Sequence, residues 1–184
     1  MNVFRGKRYF SPGLLLCGCI SFNASAVDVN FHMKFAPPTC EVSFDGGRNE
    51  YSLGILATGF QRRHTPFSVY VNCQGNTAIK TAITAKVISG FNGLGYVVQP
   101  GNDSVRMQVA GTSGVDENSP ELWLLTTNTG QRVKLTGEDV FCSKGDTSAS
   151  APNICELAPV TAIPTWSSLG RFGVTMQFNV KYPL

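Results

Sequence analysis

Phe172, Val174, Met176, Phe178, Val180 and Tyr182 stand at every second position of GRFGVTMQFNVKYPL, the stretch from Gly170 to Leu184. Arg171, Gly173, Thr175, Gln177, Asn179 and Lys181 alternate with them. Successive strand side chains point to opposite faces, whereas a helix would scatter these residues around its circumference. The stretch therefore predicts one long strand with an apolar and a wet face. A strand of this length and apolarity requires a neighbour on each side. If no strand follows Leu184, the chain supplies only one, and the other edge of the strand is open.

The start of the chain reads as an export signal over residues 1–26. Arg5, Lys7 and Arg8 are followed by an apolar run from Leu14 to Phe22, and Ala24-Ser25-Ala26 has the small-x-small form of a cleavage site. The run is shorter than the roughly 20 residues a membrane-spanning helix needs. Cys19 gives a fainter lipoprotein reading, which the placement of Cys17 disfavours. All three basic residues of this segment leave with it, and it holds no acid. The 15 basic residues of the chain then fall to 12, against 12 acidic, so the mature chain is formally neutral. Nothing in that balance calls for nucleic acid or an anionic membrane surface as partner.

Residues 27–184, about 158 of them, suit a single domain with its own core. Short alternating segments separated by turn signals fill this span: Val29–Phe35, Cys40–Phe44, Tyr51–Leu56, Phe67–Cys73, Ala78–Ile88, Tyr96–Val98, Val105–Val109, Glu121–Thr126 and a weak Glu156–Ile163. Gln74-Gly75-Asn76 predicts a turn that returns the next strand as a neighbour of Phe67–Cys73. Gln61–Thr65 reads as a polar lead-in. No amphipathic helix competes, and the pattern predicts an all-β sandwich.

Four cysteines remain in the exported chain, Cys40, Cys73, Cys142 and Cys155, and three pairings are open to them. The strand phases fit nearest-neighbour pairing best. Cys73 shares a face with Phe67, Val69 and Val71, and Cys40 with Val42 and Phe44. A zinc site is the rival, but no C-x₂-C spacing occurs after residue 26. Cys142–Cys155 would then pin the base of a small-residue surface loop, bracing a long connection or shaping an exposed surface.

Residues for catalysis are scarce. His32 and His64 read as solvated surface side chains, no G-x-S-x-G elbow is present, and neither histidine has an acidic orienter nearby in sequence. Asp116-Glu117 and Glu138-Asp139 read as loop solvation, and Gly90–Gly95 lacks the Lys-Ser/Thr of a phosphate loop. The expectation is no enzyme, no cofactor and no metal. Trp123 reads as core, and Trp166, in the loop before the last strand, is the one aromatic kept as a candidate ligand contact.

Several stretches together resemble the chaperone–usher fimbrial subunits, or pilins, of Gram-negative bacteria. VNFHMKFAPPTC (Val29–Cys40) resembles the pilin first strand, YSLGIL (Tyr51–Leu56) its short Leu-Gly strand, and TPFSVYVNC (Thr65–Cys73) its second-cysteine strand. ELWLLTTNTGQRVKL (Glu121–Leu135) is similar to its central hairpin, and the terminal stretch to its last strand. The resemblance implies an incomplete immunoglobulin-like sandwich without its seventh strand. It implies a periplasmic pilus chaperone that lends a strand, an outer-membrane usher, and neighbouring pilus subunits whose N-terminal extensions replace the chaperone. Gly170, Phe172, Val174, Met176, Phe178, Val180 and Tyr182 match the chaperone-contacting strand. The location implied is the cell-surface fimbrium, reached through the periplasm. The function implied is that of a structural subunit contributing to adhesion, with a single-domain tip adhesin for a host glycan or protein as the alternative.

The chain departs from the family at three points. Pro183-Leu184 follow Tyr182, where pilins commonly end one residue after the tyrosine. Cleavage after Ala26 leaves only Val27-Asp28 before Val29, so the chain is expected to accept a strand without donating one, as a minor tip subunit would. The Cys142–Cys155 loop is not a general feature of the family.

Overall fold

The computed structural model describes residues 39–183. The signal segment, Cys17, Cys19, His32 and the Val29–Phe35 strand lie outside the described residues. Within them the alternating pattern becomes β1 (Cys40–Phe44), β2 (Phe60–Arg63), β3 (Phe67–Cys73), β4 (Ile79–Gly90), β5 (Tyr96–Val98), β6 (Val105–Met107), β7 (Glu121–Thr126), β8 (Phe141–Thr147), β9 (Asn153–Ile163) and β10 (Val174–Lys181). One sheet has the order β1-β3-β9-β7-β6-β5, with β2 also on β9, and the other has the order β10-β4-β8. Val69, Val71 and Leu157 of the first sheet and Ile83 and Ala85 of the second are fully buried in a common core.

β9 organises the first sheet, and its sequence understates it. The expected weak strand over Glu156–Ile163 is an 11-residue strand that pairs with β3 over Asn153–Leu157, with β2 over Val160–Ile163 and with β7 over Leu157–Ala162. Pro159 sits inside this strand, although proline cannot donate to a ladder. Its carbonyl accepts the His64 N–H at 2.8 Å. A strand residue directs its N–H and C=O to the same side, so the missing donor faces the break between β2 and β3 at Thr65-Pro66, where no ladder bond is lost.

Four other expectations are corrected. Tyr51–Leu56 is no strand: it pairs with nothing among the described residues, and Gly54 turns the backbone at φ +76°. Tyr51 and Leu53 nonetheless reach the core, which explains their alternation. Gln61–Thr65 is no mere lead-in: Phe60–Arg63 is a strand held by the far half of β9, although its four exposed side chains carry no pattern. β4 does not return beside β3 but crosses to the other sheet and pairs with β10 and β8. Gln74 and Gly75 spend their backbone groups on Thr39 and Ala149 rather than closing a hairpin. Finally, the segment between Cys142 and Cys155 is mostly strand, with β8 running to Thr147 and β9 starting at Asn153.

Trp123 is buried in β7, its ring covered by the Arg132 guanidinium at 4.4 Å, and Asp103 holds that arginine at 3.5 Å. This cation–π contact seals the outer side of a strand that is apolar on both faces.

Candidate functional site

β1 and β10 are edge strands of opposite sheets: among the described residues β1 pairs only with β3, and β10 only with β4. Val174, Met176, Phe178 and Val180 point inward and are half-buried, while Thr175, Gln177, Asn179 and Lys181 are exposed. Cys40, Val42 and Phe44 on β1 are likewise half-buried. The contrast is with β3 and β4, where Val69, Val71, Ile83 and Ala85 are fully buried. An interior strand has apolar neighbours on both sides, whereas these two edges have one each. The core is therefore open along the line between them.

Aromatic rings span this opening. Phe178 meets Phe44 edge-on with ring centroids 5.7 Å apart, and Phe67 lies 6.4 Å from each of them. Tyr51 packs on Phe67 at 4.6 Å. Edge-on pairs of this kind are favourable beyond the area they bury. Here they join the two sheets where no backbone ladder does. β10 carries a bulge between Thr175 and Met176, which shifts its register on β4.

The rim on the β1 side is fixed by Asp45. Its carboxylate accepts the Ser68 N–H and the Tyr70 O–H, each at 2.8 Å, tying the turn after β1 to β3. The backbone bond from Ser68, then the Tyr70 hydroxyl, hold the Asp45 pKa below its ordinary value of 3.8. The same hydrogen bond raises the Tyr70 phenol. Burial against the ring cluster raises Tyr51.

The sequence-predicted site residues do not all share one environment. Val174, Met176, Phe178 and Val180 line the opening, and Tyr182 follows the strand, partly exposed. The regular ladder starts at Val174, so Gly170 and Phe172 precede the strand rather than belonging to it. They are still pinned: Arg171 O accepts from Ala110 N–H at 2.8 Å, and Gly173 O from Phe91 N–H at 2.9 Å. A Cβ on Gly170 would stand 2.7 Å from both Ala110 O and Val109 Cγ1, so only glycine fits. Trp166 lies away from the opening, exposed in a turn closed by Ser167 N–H on Pro164 O. The opposite wall of Val42, Phe44, Phe67 and Tyr51 was not assigned to the site from the sequence, although the alternation Cys40, Val42, Phe44 was there to be read.

Cys40–Cys73 joins β1 to β3, and Cys142–Cys155 joins β8 to β9, one sheet to the other. Beside the second bridge, the Asn153 amide donates to Cys142 O at 2.7 Å and to Thr81 Oγ1 at 3.1 Å, and Thr81 meets Thr147 at 2.7 Å. His64, expected to be solvated, is half-buried with Nε2 2.8 Å from Thr161 Oγ1. Its burial, then the nearby Arg62 charge, lower its pKa. Arg62 and Arg63, which precede it on β2, remain exposed, so the His64 side chain acts as a tie between the end of β2 and β9.

No protein-family model matches the chain, and no curated protein matches it. Solved structures do. A chain of a chaperone–usher pilus superposes with a TM-score of 0.51 at 15% identity, covering 89% of this chain and 99% of its own length. The P pilus rod subunit PapA superposes with a TM-score of 0.47 at 13% identity, covering 85% of this chain and 100% of its own, and carries no weight beyond that. Two antiparallel sheets with a shared core, one of them ending in the half-buried strand β10, give this chain the all-β, immunoglobulin-like fold of pilus subunits.

Proposed function

We propose that this protein is a structural subunit of a chaperone–usher fimbria, and that the opening between β1 and β10 accepts a strand from a partner. The observation that carries the reading is the half-burial of Val174, Met176, Phe178 and Val180 on one side and Val42 and Phe44 on the other. An extended segment laid beside β10 would satisfy the backbone groups along its free edge and place alternate apolar side chains over the ring cluster. An uncovered edge of this kind promotes aggregation, so a chaperone holds it before assembly. The partners are then a periplasmic chaperone, an outer-membrane usher and neighbouring subunits, and the destination is the cell-surface fimbrium after export on the 1–26 signal.

A minor role at the tip of the fibre is the finer reading. It rests on the lack of a donor-like alternating segment between Ala26 and Val29, and N-terminal sequencing of the mature protein tests it: a start well before Val27 ends it. The strand-acceptor reading is tested by periplasmic expression with and without a candidate pilus chaperone. Soluble protein is expected only with the chaperone, as a one-to-one complex. A stable, soluble monomer without any partner overturns the reading.

A further inference from the structure

Four large apolar side chains are far more exposed than any others among the described residues: Ile55 (97%), Leu169 (89%), Trp166 (83%) and Phe60 (69%). They do not lie in the opening between β1 and β10. They gather at one end of the sandwich, in the two connections that flank the C-terminal end of β9. Phe60 pairs with Ile163, Gly59 N–H donates to Ile163 O at 2.7 Å, and a Cβ on Gly59 would touch Thr165 Oγ1 at 3.4 Å. On the Ile55 side a cleft of about 320 Å³ runs between the 55–57 segment and the β2–β9 pair, lined by Ile55, Phe60, Gln61 and Arg62 among others. Tyr51 and Leu53 of the first connection turn to the core, but these four side chains do not, and a concentration of exposed hydrophobic side chains marks a contact surface.

This end is also where β10 begins. Val174 pairs with Gly90, and the preceding Arg171 is bonded to Ala110, beside the start of β7. Every strand pair among the described residues is antiparallel, the slightly more stable arrangement per residue. A strand added antiparallel to the free edge of β10 enters at the Lys181 end and leaves, at its own C-terminus, at the Val174 end. If that strand is the N-terminal extension of another subunit, the folded body of that subunit follows directly, at the end carrying the four exposed side chains.

We propose that Ile55, Phe60, Trp166 and Leu169 form the docking surface for the folded body of the strand-donating subunit. This rests on the strand-acceptor reading and deepens it. The charge around the surface describes the partner. Arg62 and Arg171 are exposed beside the patch, and residues 51–102 and 157–184 contain no aspartate or glutamate. The acids at this end are Asp116 and Glu117 of the 111–120 loop, where Asp116 is held by Asn118 and Ser119, and Glu121 at the start of β7, across Ala162 from Gln61. The complementary face is therefore apolar, with acidic groups where it meets Arg62 and Arg171. A saccharide is a poorer fit, since three of the four side chains are not tryptophan and no carboxylate or amide fan is set among them to hold hydroxyl groups.

The test uses two probes: a synthetic peptide of the donor subunit's N-terminal extension, and the whole donor subunit that co-purifies with this protein from fibres. Trp166→Ser/Leu169→Ser alters only exposed side chains and leaves the fold intact. Dissociation rates are measured in sub-denaturing urea. The variant is expected to release the peptide at the unaltered rate and the whole donor about thirtyfold faster, the loss expected of two anchoring contacts. Equal rates for both probes with either protein overturn the docking surface, as does loss of binding to a glycan array with donor release unchanged. Failure of the peptide to bind the unaltered protein overturns the acceptor reading itself, a distinguishable result.

Discussion

Replacing Phe178 by alanine separates what the open strand does for the subunit from what it does for a partner. Removing a fully buried phenylalanine side chain costs about 3–5 kcal/mol. Phe178 is covered on its β4 side and by Phe44 and Phe67 at 5.7 and 6.4 Å, yet stays open toward the free edge. The lower end of the range applies, so Phe178→Ala should lower unfolding stability by about 3 kcal/mol. A phenylalanine side chain has roughly 200 Å² of surface, and Phe178 is half-buried, so an incoming strand covers on the order of 50 Å² of it. Covering about 50 Å² contributes about 1.2 kcal/mol, so strand capture should weaken roughly eightfold. Urea unfolding of the chaperone-bound subunit, followed by the fluorescence of buried Trp123, reads the sum of the two quantities, and dissociation of a complementing peptide exchanged for the chaperone reads the second. Gln177→Ala, on the outward face one residue away, is the control and should change stability by less than about 0.5 kcal/mol. If Phe178→Ala costs under about 1 kcal/mol, or Gln177→Ala costs as much, the assignment of faces and with it the opening are wrong.

The other predictions concern what frames that opening. Asp45 has its carboxyl pKa depressed in the folded state, so its contribution is present above about pH 3.8 and is lost as pH falls through the lower folded value; acid unfolding curves should therefore be shallower for Asp45→Asn than for the unaltered protein. Gly170→Ala forces a methyl group against Ala110 O and Val109 Cγ1 and should cost about 1–3 kcal/mol, read as a lowered urea midpoint. Cys142→Ser/Cys155→Ser opens a link of sequence separation 13 and should cost about 3 kcal/mol, while leaving peptide capture at β10 unchanged because β8 lies on the far side of β4. Asn153→Ala leaves Cys142 O and Thr81 Oγ1 without the amide and should cost about 1–3 kcal/mol by the same measurement.

How far the fold was legible depended on whether a strand's pattern is written in its own residues. β1, β3 and β7 carry their alternation or their apolar run themselves, and their limits in the structure are those read from the sequence. β2 carries none, because its four side chains are exposed and its place is set by the far half of β9. Tyr51–Leu56 is the converse. It alternates because Tyr51 and Leu53 must reach the ring cluster, and alternation toward a core does not by itself provide a partner for the backbone. The longest strand of the first sheet was read only as a weak Glu156–Ile163, and it tolerates Pro159 because the cost of a missing donor depends on what faces it, here a break between two partners.

The candidate site shows the same limit more sharply. The apolar face of β10 was legible to the residue, since Val174, Met176, Phe178 and Val180 all point inward. Its incompleteness was legible only conditionally, from whether a strand follows Leu184, and through the resemblance to pilins, because a sequence states which residues seek burial and not how much burial they obtain. Only the comparison between strands gives that: Ile83 and Ala85 on β4 are fully buried, while Val180 and Phe178, their direct partners across the ladder, are not. Equivalent side chains paired across one ladder reach different burial because one strand has a second neighbour and the other does not. That inequality is a physical property of the edge and holds whichever partner covers it. A strand that fills the opening should therefore bring Phe178 and Val180 to the burial of their β4 partners and leave Ile83 and Ala85 unaltered, so that on binding, protection from solvent rises on β10 and not on β4.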